Sequence, residues 1–323
     1  MLITELMIMT LTAKIIIAII SIIILIPYVS NTLKLKKTSE MIIPDEGKHA
    51  DLSNGKIYYR WHEPKIISSE EIIILVHGFS TPSFVWNGIL DDLLSTGKRV
   101  LVFDHYGRGF SDRPSVKYDL NLYVSALEEL LKKLNIDNKI HIVGYSMGGP
   151  IAADFSSRNN KKISSLSLIA PAGYMPKPPW YFKAFTLPVL GDYIFRSFPS
   201  VFKAISASET RSSNDPKSIN EDEFNELFSY QTKFKGFTDA LLSTIRNTEM
   251  ANASNIYKKI DNFKIKSLVI WGAEDKVVPI SGLEELQKDI SYIFFKEIKE
   301  GTHDITYRQP TQVGSFLKEF IEN

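Results

Sequence analysis

The sequence predicts an α/β architecture: a mostly parallel sheet with helices on both faces, an apolar N-terminal transmembrane helix ahead of it and a helical insertion within it. Three observations predict this. Short apolar runs of strand length alternate with segments of helical spacing through most of the body, the pattern of a parallel sheet built from crossover units. The alternation stops between Tyr174 and about Asn262, where aromatic and proline-rich sequence gives way to polar, helix-forming sequence. The first 37 residues stand apart, with a run from Lys14 to Val29 that carries fifteen residues after the lysine without a charge.

The elements follow in order. A helix from about Leu6 to Val29 is long enough to cross a hydrocarbon core of ~30 Å, with Lys14 reaching toward the headgroups. A secretory signal ending near Pro27 is the rival, but Tyr28 sits where cleavage after Ser30 would need a small residue. Lys34, Lys36 and Lys37 outnumber Lys14 and lean toward a cytoplasmic body on a single-pass anchor. Cleavage would instead give a secreted or periplasmic protein. Asn54-Gly55 predicts a two-residue hairpin turn between two alternating strands. Glu71–Val76, Lys98–Phe103, Lys139–Val143, Ser164–Ala170, Lys266–Trp271 and Tyr292–Ile298 read as buried strands. The leucines of Leu120–Asn135 have helical spacing, a helix is expected from Met147 to about Arg158, and a last one from about Pro310 to Ile321. The expected division is an anchor and basic linker (1–37), a core (38–173 and 263–323) and a cap over the sheet's C-terminal edge (174–262).

Composition narrows the chemistry. The formal net charge of +1 gives no reason to expect a nucleic-acid partner. The N-terminal 37 residues carry +3, which leaves −2 for the body. With no cysteines there is no disulfide, no thiolate metal site and no cysteine nucleophile.

The stretch Gly144-Tyr145-Ser146-Met147-Gly148 lies directly after an expected strand and directly before an expected helix. Glycines on both sides remove the Cβ atoms that would clash at so sharp a corner, and the corner lifts the Ser146 hydroxyl above the sheet edge. Serine needs a base and an orienting acid to act as a nucleophile. Of the six histidines, His303 in "KEGTHDITY" follows the last strand, at the edge where Ser146 is expected. The acid is expected after an intermediate strand, where "VIWGAEDKVVP" offers Asp275, with Glu274 as its competitor. Asp304 adjoins the histidine and reads as solvated or structural. The backbone N–H groups of Met147 and of Phe79, in the loop "HGFSTPS", are the candidate oxyanion donors.

Through "LVHGF", "DHYGRGFSDRP", "GYSMGG", "WGAEDKVVP" and "GTHD", in that order, the chain resembles the α/β-hydrolase superfamily of serine hydrolases, most of all its capped esterase and monoacylglycerol-lipase-like branch. The resemblance covers about Lys48 to the C-terminus and implies the α/β-hydrolase fold, with Asp104–Pro114 as a structural loop. It also implies hydrolysis through an acyl-serine, without metal or organic cofactor. His303 would be the base and Asp275 its orienting partner, and the substrate a small-molecule or lipid ester. Haloalkane dehalogenases and epoxide hydrolases share the histidine-glycine loop but use an aspartate nucleophile, which Ser146 argues against. A carbon–carbon bond hydrolase of the ring-cleavage type and a low-turnover ligand-binding member of the fold are the alternatives. Trp180, Tyr181, Phe182, Phe185, Phe195 and Phe198 are candidates either for an acyl-chain wall or for packing between cap and core.

Overall fold

The computed structural model describes residues 2–176, 186–198 and 213–323, the side chains of residues 2–9 excepted. Its centre is an eight-stranded sheet in the order β1-β2-β4-β3-β5-β6-β7-β8. The strands are β1 (Lys48–Leu52), β2 (Gly55–His62), β3 (Ile72–Val76), β4 (Arg99–Phe103), β5 (Ile140–Tyr145), β6 (Ile163–Ile169), β7 (Ser267–Gly272) and β8 (Phe294–Ile298). From β4 to β8 all neighbours are parallel; β1 and β2 add an antiparallel edge. The central strands are apolar on both faces because helices cover both: every residue of β3 and of β5 is buried.

The hairpin differs from expectation by one residue. Leu52 pairs with Gly55, so the two-residue loop is Ser53-Asn54 and Gly55 opens β2. Gly55 has φ +129°, and a Cβ there would lie 2.9 Å from the Asp112 carboxylate, which accepts from the Lys56 N–H at 2.7 Å. Glycine is needed at this position for close approach, not as the turn's second residue.

The helices that position the site are α1 (Leu2–Leu33), α2 (Leu90–Leu94), α3 (Leu120–Lys133), α4 (Gly148–Arg158), α5 (Leu190–Ser197), α6 (Glu221–Thr232), α7 (Phe237–Asn247), α8 (Ser254–Asn262), α9 (Leu283–Asp289), α10 (Ile305–Arg308) and α11 (Pro310–Glu322). Asp119 caps α3 by accepting from the Leu122 N–H at 3.0 Å, and its apolar stripe is buried at Tyr123, Val124, Leu127, Leu130 and Leu131. Asn220 caps α6 in the same way, ahead of three acidic residues that complement the helix dipole. Helix α4 is buried from Gly148 to Ser157.

Between β6 and β7 the described helices form two groups. Helix α8 packs on α4, with Tyr257 and Ile260 fully buried in the main core and the Tyr257 hydroxyl donating to the Ala172 carbonyl at 2.6 Å. Helices α5 and α7 enclose a second small core of Phe195, Phe237, Leu241 and Leu242, against which Phe79 and Phe228 pack.

Helix α1 runs through Pro27 to Leu33, longer at both ends than the sequence suggests. Residues Thr10–Leu33 are long and apolar enough to cross a membrane; residues 10–26 are exposed, whereas Pro27, Tyr28 and residues 30–32 are half-buried. At ~1.5 Å per residue these 24 residues cover about 36 Å. The end of α1 is docked on the insertion. Asn31 Nδ2 donates to the carbonyls of Arg196 and Ser197 at 3.0 and 3.1 Å, satisfying the open end of α5. The Tyr193 hydroxyl donates to the Ile24 carbonyl at 2.8 Å, Tyr28 stacks on Tyr193, and the Arg196 guanidinium lies 5.5 Å from the Tyr28 ring. Just beyond, Lys36 bridges to α6: its N–H donates to the Lys233 carbonyl and its own carbonyl accepts from the Lys235 N–H, both at 2.9 Å.

Candidate active site

Ser146 occupies the corner between β5 and α4 with φ +53°, a left-handed conformation that costs a non-glycine residue about 1–3 kcal/mol. The corner is held from both sides. The Ser146 N–H donates to the Ile169 carbonyl at 2.9 Å, and its carbonyl accepts from the N–H groups of Gly149 and Ala172 at 2.9 and 3.0 Å. Close approach explains the glycines: a Cβ on Gly148 would lie 2.1 Å from the Val76 carbonyl oxygen, and one on Gly144 2.3 Å from the Gly148 carbonyl oxygen. The first turn of α4 is thus pressed against the end of β3.

His303 lies in the loop after β8 and Asp275 in the loop after β7. The two loops meet where a Cβ on Gly272 would fall 2.3 Å from the Gly301 carbonyl oxygen, and the Glu274 N–H donates to that carbonyl at 2.8 Å. His303 Nδ1 is 2.8 Å from Asp275 Oδ2, and His303 Nε2 is 2.9 Å from Ser146 Oγ. With Asp275 ionised, Nδ1–H donates to the carboxylate and Nε2 accepts from the serine hydroxyl. All three residues are buried. Asp275 also caps its own loop, its Oδ1 accepting from the N–H groups of Val277 and Val278 at 2.9 and 2.8 Å. One carboxylate therefore both orders the loop and holds the imidazole. Glu274 is the more exposed of the two candidates. Asp304 is fully buried rather than solvated: it accepts from the Thr302 hydroxyl and lies 3.7 Å from Arg308 Nε. Ser146 Oγ engages the imidazole, and the residue at the helix N-cap position, Met147, makes no side-chain capping bond.

The loop after β3 crosses close to the serine, since a Cβ on Gly78 would lie 3.2 Å from Ser146 Cβ. Among the described residues, the backbone N–H groups of Phe79 and Met147 donate to no carbonyl or side chain. Met147 directly follows Ser146, and Phe79 directly follows Gly78.

Several supporting residues carry no signature that sequence reasoning singled out. Arg108, from the glycine loop after β4, is fully buried; its Nε donates to the Phe79 carbonyl at 2.5 Å and its Nη2 to Thr244 Oγ1 of α7 at 3.0 Å. Gln231 of α6 donates to the Ser80 carbonyl and accepts from the Gly109 N–H, both at 2.9 Å. The Tyr145 hydroxyl donates to the His303 carbonyl at 3.0 Å; burial, with Tyr307, Asp304 and Asp275 nearby, pushes its pKa far above the ordinary phenol range, so it stays neutral. Arg108 was visible inside "DHYGRGFSDRP", but only the fold shows that it ends on the Phe79 carbonyl. Trp180, Tyr181, Phe182 and Phe185 lie outside the described residues. Phe195 is buried in the small core, whereas Phe198 is 46% exposed.

His77 and His105 form a second buried pair beneath the site, their rings 4.2 Å apart. His77 Nε2 accepts from the His105 N–H at 2.9 Å, so the His77 proton is on Nδ1 and goes to the Gly78 carbonyl. Burial, then the neighbouring His105 and Arg108, holds His77 well below the ordinary imidazole range; burial and Arg108 bring His105 down to about 3.

Comparisons with known proteins agree with this fold. The family model described as alpha/beta hydrolase fold matches residues 71–308, and the chain belongs to that family. A putative non-heme chloroperoxidase of Synechocystis is 26% identical over 77% of this chain and 91% of its own length. The monoacylglycerol lipase ABHD6 of Mus musculus is 23% identical over 77% and 75% respectively. Among solved structures, a bromoperoxidase from Bacillus anthracis superposes with a TM-score of 0.70 at 20% identity, covering 86% of this chain and all of that one. The enol-lactonase from Burkholderia xenovorans LB400 gives 0.67 at 18% identity, covering 85% of this chain and 100% of that one.

Two predictions test the frame of the site. Gly148→Ala will destabilise the protein by about 3 kcal/mol or more, because backbone and not a movable side chain meets the new Cβ; urea unfolding of the two proteins measures it. The buried histidines make acid destabilising. Their pKa values are depressed in the fold and ~6.5 when unfolded, so the unfolded chain binds the extra protons and stability is complete only above ~6.5. Between pH 6.5 and 4.5 the urea midpoint will fall, each histidine adding a slope of up to about 1.4 kcal/mol per pH unit.

Proposed function

We propose that this chain is a membrane-anchored serine hydrolase that cleaves carboxylic esters of lipids, of the monoacylglycerol type, through an acyl-serine intermediate. The observation that carries the reading is the unbroken hydrogen-bonded chain Asp275–His303–Ser146. In this reading His303 Nε2 takes the Ser146 proton as Oγ attacks the ester carbonyl. The Phe79 and Met147 N–H groups receive the developing oxyanion, and α4 directs the positive end of its dipole at the same place. His303 then protonates the leaving alcohol, and Asp275 holds the imidazole tautomer and stabilises its charged form. Water repeats the cycle on the acyl-serine. None of these steps calls for a metal or organic cofactor.

Helix α1 supports the lipid substrate. An apolar helix docked on the insertion holds the site beside a bilayer, and the similarity to a monoacylglycerol lipase points the same way. Residues 1–37 serve here as anchor and linker, 38–173 with 263–323 as the hydrolase core, and 174–262 as the cap, whose last helix α8 packs into the core layer.

Labelling with a fluorophosphonate probe tests the nucleophile. Wild type will label and Ser146→Ala will not, while Asp275→Asn will lower kcat by roughly 10³–10⁴-fold with the fold retained; equal labelling of wild type and Ser146→Ala would refute the assignment. A series of p-nitrophenyl esters tests the substrate class. kcat/KM will rise from acetate to decanoate, and a preference for acetate would count against a lipid ester.

A further inference from the structure

The end of α1 is a wall of a cavity. A space of about 620 Å³ opens between it and the insertion, within the range of small-molecule sites. Thr32 and Leu35 line it on the anchor side, and Phe195, Phe228, Thr232 and Phe237 on the side of α5, α6 and α7. Phe195 and Phe237 belong to the small core on which Phe79 and Phe228 pack, and Phe79 follows Gly78, where a Cβ would lie 3.2 Å from Ser146 Cβ. The cavity and the loop beside the serine thus share one small apolar core.

The cavity also lies at the end of the candidate span. The candidate span ends at Leu33, and Lys34, Lys36 and Lys37 follow at once, where cationic side chains meet headgroups. The segment leading into and through α5 leaves apolar side chains in the open next to α1: Leu187, Val189, Leu190 and Phe198 are 52, 81, 44 and 46% exposed. A soluble surface has no reason to cluster them, whereas a helix lying in the bilayer interface does. Tyr28, Tyr193 and Arg196 form a mixed aromatic and cationic layer at the same level.

We propose that this cavity, built jointly by the anchor helix and the insertion, is the acyl-chain site, and that it takes the chain of a lipid ester sideways from the bilayer rather than from water. The proposal rests on the acyl-serine reading above and adds to it where the chain lies and by what route it arrives. The anchor then does more than tether: without residues 31–35 the cavity lacks one wall.

The test uses the full-length protein in phosphatidylcholine vesicles and a hexadecyl fluorophosphonate carrying a diazirine at the far end of its chain. After labelling and irradiation, peptide mapping will find phosphonylated Ser146 and crosslinks within residues 31–35 or 225–238. Labelled Ser146 with crosslinks confined to other segments overturns the cavity assignment and leaves the nucleophile intact. Absence of Ser146 labelling overturns both. Thr232→Trp and Leu35→Trp fill the cavity from opposite sides. Each will lower the ratio of kcat/KM for a vesicle-borne long-chain monoacylglycerol to that for p-nitrophenyl butyrate by tenfold or more. A ratio within twofold of wild type in both variants overturns the proposal.

Discussion

The close approach of α4 to the end of β3 is the constraint on which the site depends. Gly148 sits against the Val76 carbonyl with no room for a Cβ. Only with the helix this near does the chain turn sharply enough to leave Ser146 at φ +53° with its hydroxyl raised, and only then does the loop after β3 pass beside it. The strain at Ser146 is held by three backbone hydrogen bonds from β6, α4 and the loop after β6, so the corner is over-determined by its neighbours. Everything proposed for the chemistry presupposes this corner.

A second tier of contacts fixes the groups around it. Asp275 uses one oxygen on its own loop and the other on His303, so the acid cannot be moved without loosening the loop that carries it. Arg108 and Gln231 grip the carbonyls of Phe79 and Ser80, which sets the direction of the amides in that loop. Both grips involve the insertion, through Thr244 and through Gln231 itself. The insertion in turn holds α1 through Asn31 and Tyr193. Helix, insertion and site loop are one chain of contacts, so the orientation of the apolar helix and that of the site are not independent.

Much of this was legible in the chain because burial on both faces leaves a direct mark. The central strands are uninterrupted apolar runs, and their boundaries in the fold fall within two residues of those runs. Ser146, Asp275 and His303 were legible because glycines and strand ends locate the loops that must carry them. What stayed hidden depends on partners distant in sequence. Nothing local separates Asp275 from Glu274; the direction of the loop after β7 does, as the Gly272–Gly301 contact sets it. Nothing local says that Asp304 is buried, that Tyr145 braces the His303 carbonyl, or that α8 joins the core layer through Tyr257 and Ile260. The hairpin slipped by one residue because Gly55 answers to Asp112, fifty-seven positions away, rather than to the turn.

By itself the sequence determined the class of fold, the corner that carries the serine and the residue types able to serve it, because strand burial, turn sterics and the need for a base and an acid are written in local pattern. Tertiary structure alone decided which carboxylate reaches the imidazole, which buried side chains hold the loop beside the serine, and that the apolar helix is packed onto the insertion. Those outcomes are set by distances between segments far apart in the chain, and no local pattern encodes a distance.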